Sequence, residues 1–573
     1  MTALMAATAI AVAGCSSSAK PTPTPIAYGG PAYSLVEVDA AGVAFTGDFN
    51  PFDASSMASQ LSLRSLTYEP LFEFNTLNPA QIHPWLGTAY SFDGSGRDLT
   101  VTVRKNVRFS DGTALTPGDV AFTFELIRSH PEVGGSGVPQ QSADPTISGQ
   151  TVTLHFAAPA FADLYGILGE TLIVPQRIWS TITDPTTATI TDPIGTGPFV
   201  FSSFSTQVIK FAPNRHYWGG TPPEAEIDVP DWTNAAAGSA WEAGTLDWSG
   251  IAPSSTGYCQ EGCGDGNPAI NHAWFAPAAT TTLWFNLSGP DAAPAIEDPQ
   301  VRLAISAGID RTALAELGES GYEQPATSSS GLILPAQSAY LTAAQTGDLE
   351  AESDPAKVAS ILTADGYTAP TDPTGTCTSI GGAAPTDLAA CYTKEGQAIV
   401  FAVEGPVPVP DVWEDDQLIV SELDSEGIAA WPDGDGTVAS WTADYQSGDF
   451  QSMVHAGAGG PTPYVQLQNW LDDGQPISAG DYGRYQSAAA QTALATLQDT
   501  NPDDTAAVTT AVQVLTNIVS TQAPVVPLLY GVDWDLYSTA RYTGWPDAAN
   551  PYMDPSPGDP QLPYILMHLR MVE

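Results

Sequence analysis

Residue types that could carry out covalent or metal chemistry are present in this sequence, but not at the spacings that such chemistry needs. The nearest match to a GxSxG nucleophile elbow is residues 318–322 (GESGY), in which Tyr322 replaces the closing glycine. The seven histidines include no HExxH motif and no pair at metal-ligand spacing. Residues 195–197 (GTG) and 457–459 (GAG) lack the third glycine of a dinucleotide-binding loop. The sequence therefore predicts no enzyme activity and no cofactor.

One acidic segment hints at calcium binding. Residues 433–436 (DGDG) resemble the start of a calcium loop, in which alternating carboxylates ligate the ion. An EF-hand has glycine at its sixth position and glutamate at its twelfth, whereas Val438 and Asp444 occupy those positions here. We interpret the segment as a solvated turn and predict no metal site.

The five cysteines comprise one early residue, Cys15, and two close pairs. Cys259 and Cys263 are four residues apart, and Cys377 and Cys391 are 14 residues apart. Both pairs lie in segments rich in Gly, Ser and Thr, which favours two short disulfide loops in an exported protein. The alternative is a four-cysteine metal site, but these spacings match no common zinc pattern and no histidine follows at ligand distance.

The N-terminal residues indicate export and a lipid anchor. Residues 1–14 (MTALMAATAIAVAG) are apolar and uncharged, too few for a transmembrane helix but suited to the hydrophobic part of a secretory signal. Residues 12–15 (VAGC) look like a bacterial lipobox, whose cysteine is lipidated and becomes the first residue after cleavage. No Lys or Arg precedes Cys15, so we expect the signal to start upstream. Residues 16–27 (SSSAKPTPTPIA) predict a flexible tether.

Length and composition indicate several folded lobes. At about 150 residues per domain, 573 residues predict two to four lobes. A hydrophobic share of 43% supplies enough apolar surface for their cores and excludes a mainly disordered chain. The 64 acidic and 17 basic side chains give a net charge of −47, which repels phosphate groups. Nucleic acids and anionic lipid surfaces are therefore excluded as partners.

Strand and helix patterns alternate irregularly along the chain, as in an α/β protein. The alternation of apolar and polar residues over 99–104 predicts a half-buried strand, and apolar runs predict strands over 397–403 and 524–530. Capping residues and apolar periodicity predict helices over 117–127, 298–317, 354–364 and 413–425.

Five regions resemble, in order and spacing, the family 5 extracellular solute-binding proteins of ABC importers, a family that includes oligopeptide- and dipeptide-binding proteins. They are residues 66–71 (LTYEPL), 84–120 (from PWLGTAY to SDGTALTPGDV), 195–199 (GTGPF) with 214–220 (NRHYWGG), 298–311 (DPQVRLAISAGIDR), and 526–530 (VPLLY) with 542–545 (YTGW). The resemblance covers roughly residues 35 to 550. These motifs are mostly scaffold, and we expect Arg302 and Arg311 to pair with Asp298 or Asp310 rather than with a ligand.

The resemblance implies an α/β fold, the two-lobed clamshell of type II-like periplasmic binding proteins with an extra third domain. The implied division is a lipoprotein signal with lipobox at 1–15, a tether at 16–27, domain I at 28–74, 191–285 and 525–573, domain II (the extra domain) at 75–190, and domain III at 286–524.

The resemblance also implies a function. The chain would be the substrate-binding lipoprotein of an ABC importer, a monomer exported and lipid-anchored on the outer face of the cell membrane. It would capture a peptide or peptide-like solute between domains I and III and deliver it to a membrane permease that partner ATPases energise. Two alternatives remain open: a surface lipoprotein that acts as regulator or scaffold without transport, and a binder of a saccharide or metal chelate.

Peptide-binding members hold an extended peptide against cleft strands, and an Asp of domain III meets the peptide ammonium. The matching register falls on residues 455–457 and continues through 458–462 (AGGPT), where no acid stands. We therefore expect a ligand gripped through backbone contacts and apolar or aromatic walls, with weak dependence on a free amine. The implied ligand-binding residues are Ser56, Met57 and Ala58 on a domain I strand, Trp284 and Asn286 on the crossover strand, His455, Ala456, Gly457 and Gly459 in domain III, and Tyr530 on the closing strand.

The lipobox generates a direct test of anchoring. We expect the full-length protein to enter the detergent phase in a phase-partitioning assay, held by more than one acyl chain, because a single chain binds only marginally. Cys15→Ser removes the attachment atom and should leave the protein in the aqueous phase, whereas Ser16→Ala should not. Unchanged partitioning of Cys15→Ser would contradict the anchor.

Overall fold

The computed structural model describes residues 33–36 and 45–572, except 79, 135–136, 225, 233, 251–268, 373, 476, 478–479 and 558–559. The signal, the tether with Cys15, and the pair Cys259 and Cys263 lie outside the described residues. No helix in the described part of the chain has the length and apolarity needed to cross a bilayer.

The strands are short and spread over the whole described chain. In order they are β1 (Tyr33–Val36), β2 (Phe72–Phe74), β3 (Ile82–Pro84), β4 (Gly87–Phe92), β5 (Asp98–Val103), β6 (Gln141–Ser148), β7 (Thr151–Phe156), β8 (Phe199–Phe204), β9 (Val208–Pro213), β10 (Ile227–Pro230), β11 (Trp248–Ser249), β12 (Asn271–Ala273), β13 (Ala276–Pro277), β14 (Thr281–Phe285), β15 (Gln324–Pro325), β16 (Thr393–Lys394), β17 (Gln397–Ala398), β18 (Val400–Pro406), β19 (Ala429–Asp435), β20 (Ser452–Ala456), β21 (Val525–Tyr530), β22 (Val532–Asp533), β23 (Leu536–Ser538), β24 (Tyr542–Thr543) and β25 (Arg570–Met571).

The longer helices are concentrated in the second half of the chain. In order the α-helices are α1 (Met57–Gln60), α2 (Arg64–Thr67), α3 (Pro117–Ser129), α4 (Pro131–Gly134), α5 (Gln176–Trp179), α6 (Asn234–Glu242), α7 (Pro299–Gly308), α8 (Arg311–Ala313), α9 (Pro355–Ala364), α10 (Pro410–Ser425), α11 (Val438–Ser447), α12 (Tyr464–Leu471), α13 (Ala488–Gln498), α14 (Thr505–Gln522) and α15 (Leu562–His568). Single π-helical turns occur at Gly166–Glu170 and Leu314–Gly318.

Three sheets organise residues 31–573, which belong to one compact unit. The seven-stranded sheet has the order β12-β23-β11-β1-β10-β9-β8, the four-stranded sheet β4-β5-β7-β6, and the six-stranded sheet β15-β21-β14-β20-β18-β19. Each contributes to a separate hydrophobic core. The first and third sheets draw strands from distant parts of the sequence.

Two strands of the six-stranded sheet are grouped differently from the predicted domain division. β14 and β21 were expected in domain I, but β14 pairs antiparallel with both β20 and β21, inside the sheet that also holds β18 and β19. Sheet membership therefore groups both strands with residues 286–524. The rest of the division stays a prediction.

The capping signals in the sequence predicted several helix starts correctly. Helix α3 begins at Pro117 behind a capping box, in which the Thr116 backbone N–H and hydroxyl donate to Asp119 at 2.8 and 2.7 Å. Helix α9 begins at Pro355 with Asp354 as N-cap, and α10 begins three residues earlier than predicted, at Pro410. The expected continuous helix over 298–317 is wrong.

The predicted helix is interrupted after Gly308. Ile309 and Asp310 adopt extended backbone angles, and the Asp310 carboxylate then caps α8 by accepting from Ala313 N at 2.9 Å. A cap residue competes with helix continuation because its side chain satisfies an amide that an unbroken helix would use. The apolar periodicity continued across the break and concealed it.

The two arginines in this region are structural, but their expected aspartate partners are wrong. Arg302 is 2% exposed and donates to the carbonyls of Ala523 at 2.8 Å and Gln522 at 2.6 Å. Arg311 is 1% exposed and donates to the Pro527 carbonyl at 2.9 Å. Both therefore fasten this helical region to the end of α14 and to β21.

A buried carboxyl joins two of the family-like motifs. Glu69 accepts hydrogen bonds from Tyr217 Oη at 3.0 Å and Trp218 Nε1 at 3.2 Å. Burial raises the pKa of Glu69 to about 7. The Arg104 guanidinium lies 4.0 Å from the centre of the Trp218 ring. The motifs at 66–71 and 214–220 are thus parts of one packing unit.

Cys377 and Cys391 lie in the geometry of a disulfide. Their sulfur atoms are 2.11 Å apart and their Cα atoms 4.9 Å apart, and both residues are buried beside Ala429. Their oxidation in the protein itself stays a prediction, which intact-mass measurement with and without reduction tests.

The six-stranded-sheet region buries carboxyl groups such as Asp415 and Glu319, whose charged neighbours among the described residues are other acids. Asp415 on α10 is fully buried, and neither side-chain oxygen has a hydrogen-bond partner. Burial, followed by the charges of Glu323 and Asp411, raises the pKa of Asp415 to about 8. Burial, together with the charges of Glu323 and Asp415, raises the pKa of Glu319 to about 10.

These raised pKa values predict a pH-dependent stability. Such a carboxyl has a higher pKa in the folded state than in the unfolded state. Its contribution to the unfolding free energy is therefore largest below about pH 4, and it is lost as the pH rises towards the folded-state pKa. Asp415→Asn should therefore flatten the fall in unfolding free energy between about pH 5 and pH 7.5, by up to about 1.4 kcal/mol per pH unit. Urea unfolding across this range measures the slope.

Glu352→Gln is the control, because Glu352 is exposed outside α10 and its replacement also removes one carboxylate. That variant should keep the wild-type slope. An Asp415→Asn slope equal to that of wild type would contradict the prediction.

Candidate ligand-binding site

Strand β14 lies at the centre of the predicted site. All five of its residues are buried, and it pairs with β20 on one side and β21 on the other. The register places Thr282 opposite His455 and Thr281 opposite both Ala456 and Leu529. The sheet thus brings together the predicted residues of the crossover strand, of domain III and of the closing strand.

His455 is surrounded by aromatic rings. Its ring stacks on Trp441 with centroids 5.2 Å apart, and the rings of Tyr445 and Tyr482 both lie 5.4 Å away. Trp284 makes an edge contact at 6.4 Å. We call these five side chains the aromatic cluster.

The environment of His455 in the aromatic cluster favours its neutral form. Burial lowers the pKa of His455, and its Nδ1–H donates to the Ala456 carbonyl at 2.6 Å. Trp284, Trp441 and Tyr445 are 1%, 8% and 7% exposed, so mainly His455 and Tyr482 present surface to solvent. The cluster can offer an uncharged, largely apolar wall with one imidazole nitrogen.

Sequence reasoning missed three members of the cluster. Trp441 and Tyr445 stand four residues apart and share one face of α11, a spacing that could have indicated a common aromatic surface. Tyr482 lies in a loop, and no local pattern relates it to the other rings.

The glycines after β20 approach the protein's own backbone. A Cβ at Gly457 would lie 3.1 Å from the Thr280 carbonyl oxygen, and one at Gly459 would lie 2.5 Å from the Ala278 carbonyl oxygen. The Gly457 amide donates to that Thr280 oxygen at 2.8 Å. Packing within the chain therefore explains both glycines, although we expected them to admit a ligand backbone.

The expected strand at residues 56–58 is wrong. Ser56 is the N-cap of helix α1, where its hydroxyl oxygen accepts from Ser59 N at 3.2 Å and its hydroxyl donates to the Asn50 carbonyl. Met57 and Ala58 are 0% and 2% exposed in the core of the seven-stranded-sheet region. Their side chains pack inside the protein, and the contact of residues 56–58 with a ligand stays a prediction.

Asn286 and Tyr530 have partners within the protein. Asn286 is fully buried and donates to the carbonyls of Gly448 at 2.9 Å and Phe450 at 2.7 Å. Tyr530 is 6% exposed, and its hydroxyl lies 3.0 Å from that of Thr327. Of the ten predicted residues, Ala456 and Gly459 are exposed, and His455 and Gly457 are partly exposed. Their contact with a ligand stays a prediction.

The packing around the glycines predicts that alanine substitutions at Gly459 and Gly94 change the unfolding free energy by different amounts. Gly459→Ala should lower the unfolding free energy by about 1–3 kcal/mol, because the new methyl group overlaps the Ala278 carbonyl. Gly94→Ala is the control, since a Cβ there meets no atom within 4 Å. Its effect should stay within about 0.5 kcal/mol in chemical denaturation. Equal stability of the two variants would contradict the packing argument.

Comparison with known proteins agrees with this architecture. The profile of the bacterial extracellular solute-binding proteins, family 5 (middle region), matches residues 81–477. The nickel-binding periplasmic protein of Escherichia coli K12 is 26% identical over 349 residues, which is 58% of this chain and 62% of that protein. The matches span between 28% and 62% of the length of these curated relatives.

Solved structures show the same fold over nearly the whole chain. The mannohexaose-bound periplasmic oligopeptide-binding protein of Thermotoga maritima has a TM-score of 0.75 at 23% identity, covering 94% of this chain and 98% of that one. The oligopeptide-binding protein AppA of Bacillus subtilis, in complex with a nonapeptide, has a TM-score of 0.68 at 17% identity, covering 95% and 99%. The fold is the two-lobed mixed α/β type II fold expected from the sequence. The chain belongs to the bacterial extracellular solute-binding proteins of family 5.

Proposed function

We propose that this chain is the substrate-binding lipoprotein of an ABC importer and captures a peptide or peptide-like solute beside strands β14 and β20. The proposal rests on a structural observation in a chain of this family. Ala456, at the end of β20, and Gly459, just after it, are exposed next to the aromatic cluster. Binding would need no chemistry on the solute. A membrane permease and its ATPases would be the partners.

Backbone recognition is supported by the composition of the segment that begins at the end of β20. Residues 456–463 contain no acidic or basic side chain, and burial lowers the pKa of the neighbouring His455. Main-chain pairing and apolar walls hold peptides without reading their side-chain charge. We infer weak dependence on a free N-terminal amine, so blocked peptides would also bind.

A saccharide is the second candidate ligand. The Thermotoga maritima neighbour is bound to mannohexaose, and tyrosine and histidine rings suit stacking on sugar faces. The partly exposed rings of Tyr482 and His455 supply such a surface here.

Lipid on Cys15 would hold the protein on the outer face of the cell membrane, and the tether would let it reach the permease.

Calorimetry with matched ligands tests the proposal. A free peptide and its N-acetylated form should bind within about threefold of each other, because residues 456–463 supply no carboxylate for the ammonium. Ala456→Tyr should weaken binding at least about tenfold by filling the exposed end of β20. Mannohexaose provides the saccharide arm of the same experiment.

Ala456 is the better position for this variant than Gly457, whose substitution would push against Thr280 and Trp470 inside the protein. Ala506→Tyr is the control, because Ala506 is exposed near the start of α14. Loss of all binding on acetylation would contradict the backbone grip. Unchanged affinity of Ala456→Tyr would show that the site lies elsewhere.

A further inference from the structure

Three carboxylates from separate elements meet at one edge of the six-stranded sheet. Glu404 lies in β18, Asp435 ends β19, and Asp444 lies in α11. One oxygen atom of each carboxylate lies within 4.8 Å of the others. The segment 433–436 is therefore not the solvated turn expected from the sequence, because residues 433–435 are the end of a strand.

The strand topology explains why these groups converge. β18 and β19 run parallel, with Glu404 opposite Asp433 and Pro406 opposite Asp435, so their carboxyl ends reach the same edge. Only two residues separate β19 from helix α11. The second of them, Thr437, caps the helix, because its hydroxyl oxygen accepts from Ser440 N at 3.0 Å. This short connection brings Asp444, on the second turn of the helix, back over the strand ends.

The burial of Glu404 distinguishes this site from an ordinary cluster of acids on the surface. It is only 6% exposed, and its Oε1 atom is buried without a hydrogen-bond donor. A buried carboxylate oxygen without a partner is strongly unfavourable unless a proton or a cation neutralises it.

The surroundings of Glu404 are negative. Burial and then the charges of Asp435, Asp444 and Asp433 raise the pKa of Glu404 to about 9. Burial and then the charge of Asp435 also raise the pKa of Asp444. Among the described residues, no lysine or arginine forms an ion pair with Glu404, Asp435 or Asp444. Either a proton or a cation must therefore balance the negative charge of this cluster.

We propose that Glu404, Asp435 and Asp444 bind a divalent cation, and that the cation is Ca²⁺. Calcium takes carboxylate oxygens in flexible arrangements of six to eight ligands and accepts water at the remaining positions. Mg²⁺ demands near-ideal octahedral geometry and loses water reluctantly, which three carboxylates from two strands and a helix satisfy less easily.

The site would hold α11 against the sheet. Asp444 precedes Tyr445 directly, and Tyr445 and Trp441 pack on His455 from the same helix. A cation that ties Asp444 to β18 and β19 would therefore also fix one wall of the aromatic cluster. The cation site stands independently of the proposed solute, because its three ligands lie outside the predicted ligand-binding residues.

Calorimetric titration of the chelator-treated full-length protein with CaCl₂, in about 0.15 M NaCl to screen surface charge, tests the proposal. We expect one Ca²⁺ per chain with half-saturation below about 1 mM, and MgCl₂ binding at least about tenfold weaker. Glu404→Gln and Asp444→Asn should each weaken Ca²⁺ binding at least about tenfold, and circular dichroism verifies that both variants fold.

Glu414→Gln is the control for the general attraction of calcium to an acidic surface, and it should bind Ca²⁺ as wild type does. The proposal is overturned if wild type shows no saturable heat, or if Glu404→Gln and Asp444→Asn, both folded, bind as tightly as Glu414→Gln. Mg²⁺ binding as tight as that of Ca²⁺ would overturn the assignment to calcium. Asp444→Asn keeps the test decisive if Glu404→Gln fails to fold, because Asp444 is only partly buried.

Discussion

The pairing of β14 with β20 and β21 is the constraint on which the rest of the candidate site depends. β14 is buried along its whole length, so its residues cannot shift by one register position without turning the packed face of Trp284 away from its core. Its pairing with β20 sets the position of His455, and its pairing with β21 sets the direction of the chain towards Tyr530. Arg302 and Arg311 reinforce this arrangement, because their guanidinium groups bind carbonyls at the end of α14 and on β21.

The fold could be predicted from the sequence where the signals are local. Capping residues located the starts of α3 and α9, and the ordered motifs identified the family. Residues 56–58 show the limit of motif matching at low identity. A serine followed by apolar residues suits a strand or a capped helix equally, and here the Ser56 cap and the burial of Met57 produce a helix.

The candidate site was predicted in part, because its components come from distant segments. The register around His455 identified the end of β20, but Trp441, Tyr445 and Tyr482 reach the histidine only through tertiary packing. The glycines at 457 and 459 were recognised as positions of close approach, yet only the coordinates reveal that the approaching atoms are the carbonyls of Thr280 and Ala278. Similarly, nothing in the sequence relates Glu404 to the acidic segment 433–436.

Some of the excess acidic side chains are buried inside the protein. Most acids of this chain can remain hydrated at the surface, but Glu404 and Asp415 are buried in the six-stranded-sheet region without basic partners. Such groups must be neutral or bind a cation in the folded state. The composition alone, with 64 acids and 17 bases, does not distinguish these interior carboxyls from the solvated majority.

We propose that this chain captures one small solute at a time. Native mass spectrometry of the desalted protein, mixed with a library of free peptides, N-acetylated peptides and mannooligosaccharides, tests it most directly. The account predicts a one-to-one adduct whose mass identifies the class of solute and which is lost on denaturation. A spectrum that contains only the unbound protein, with every class of the library in excess, would contradict the account.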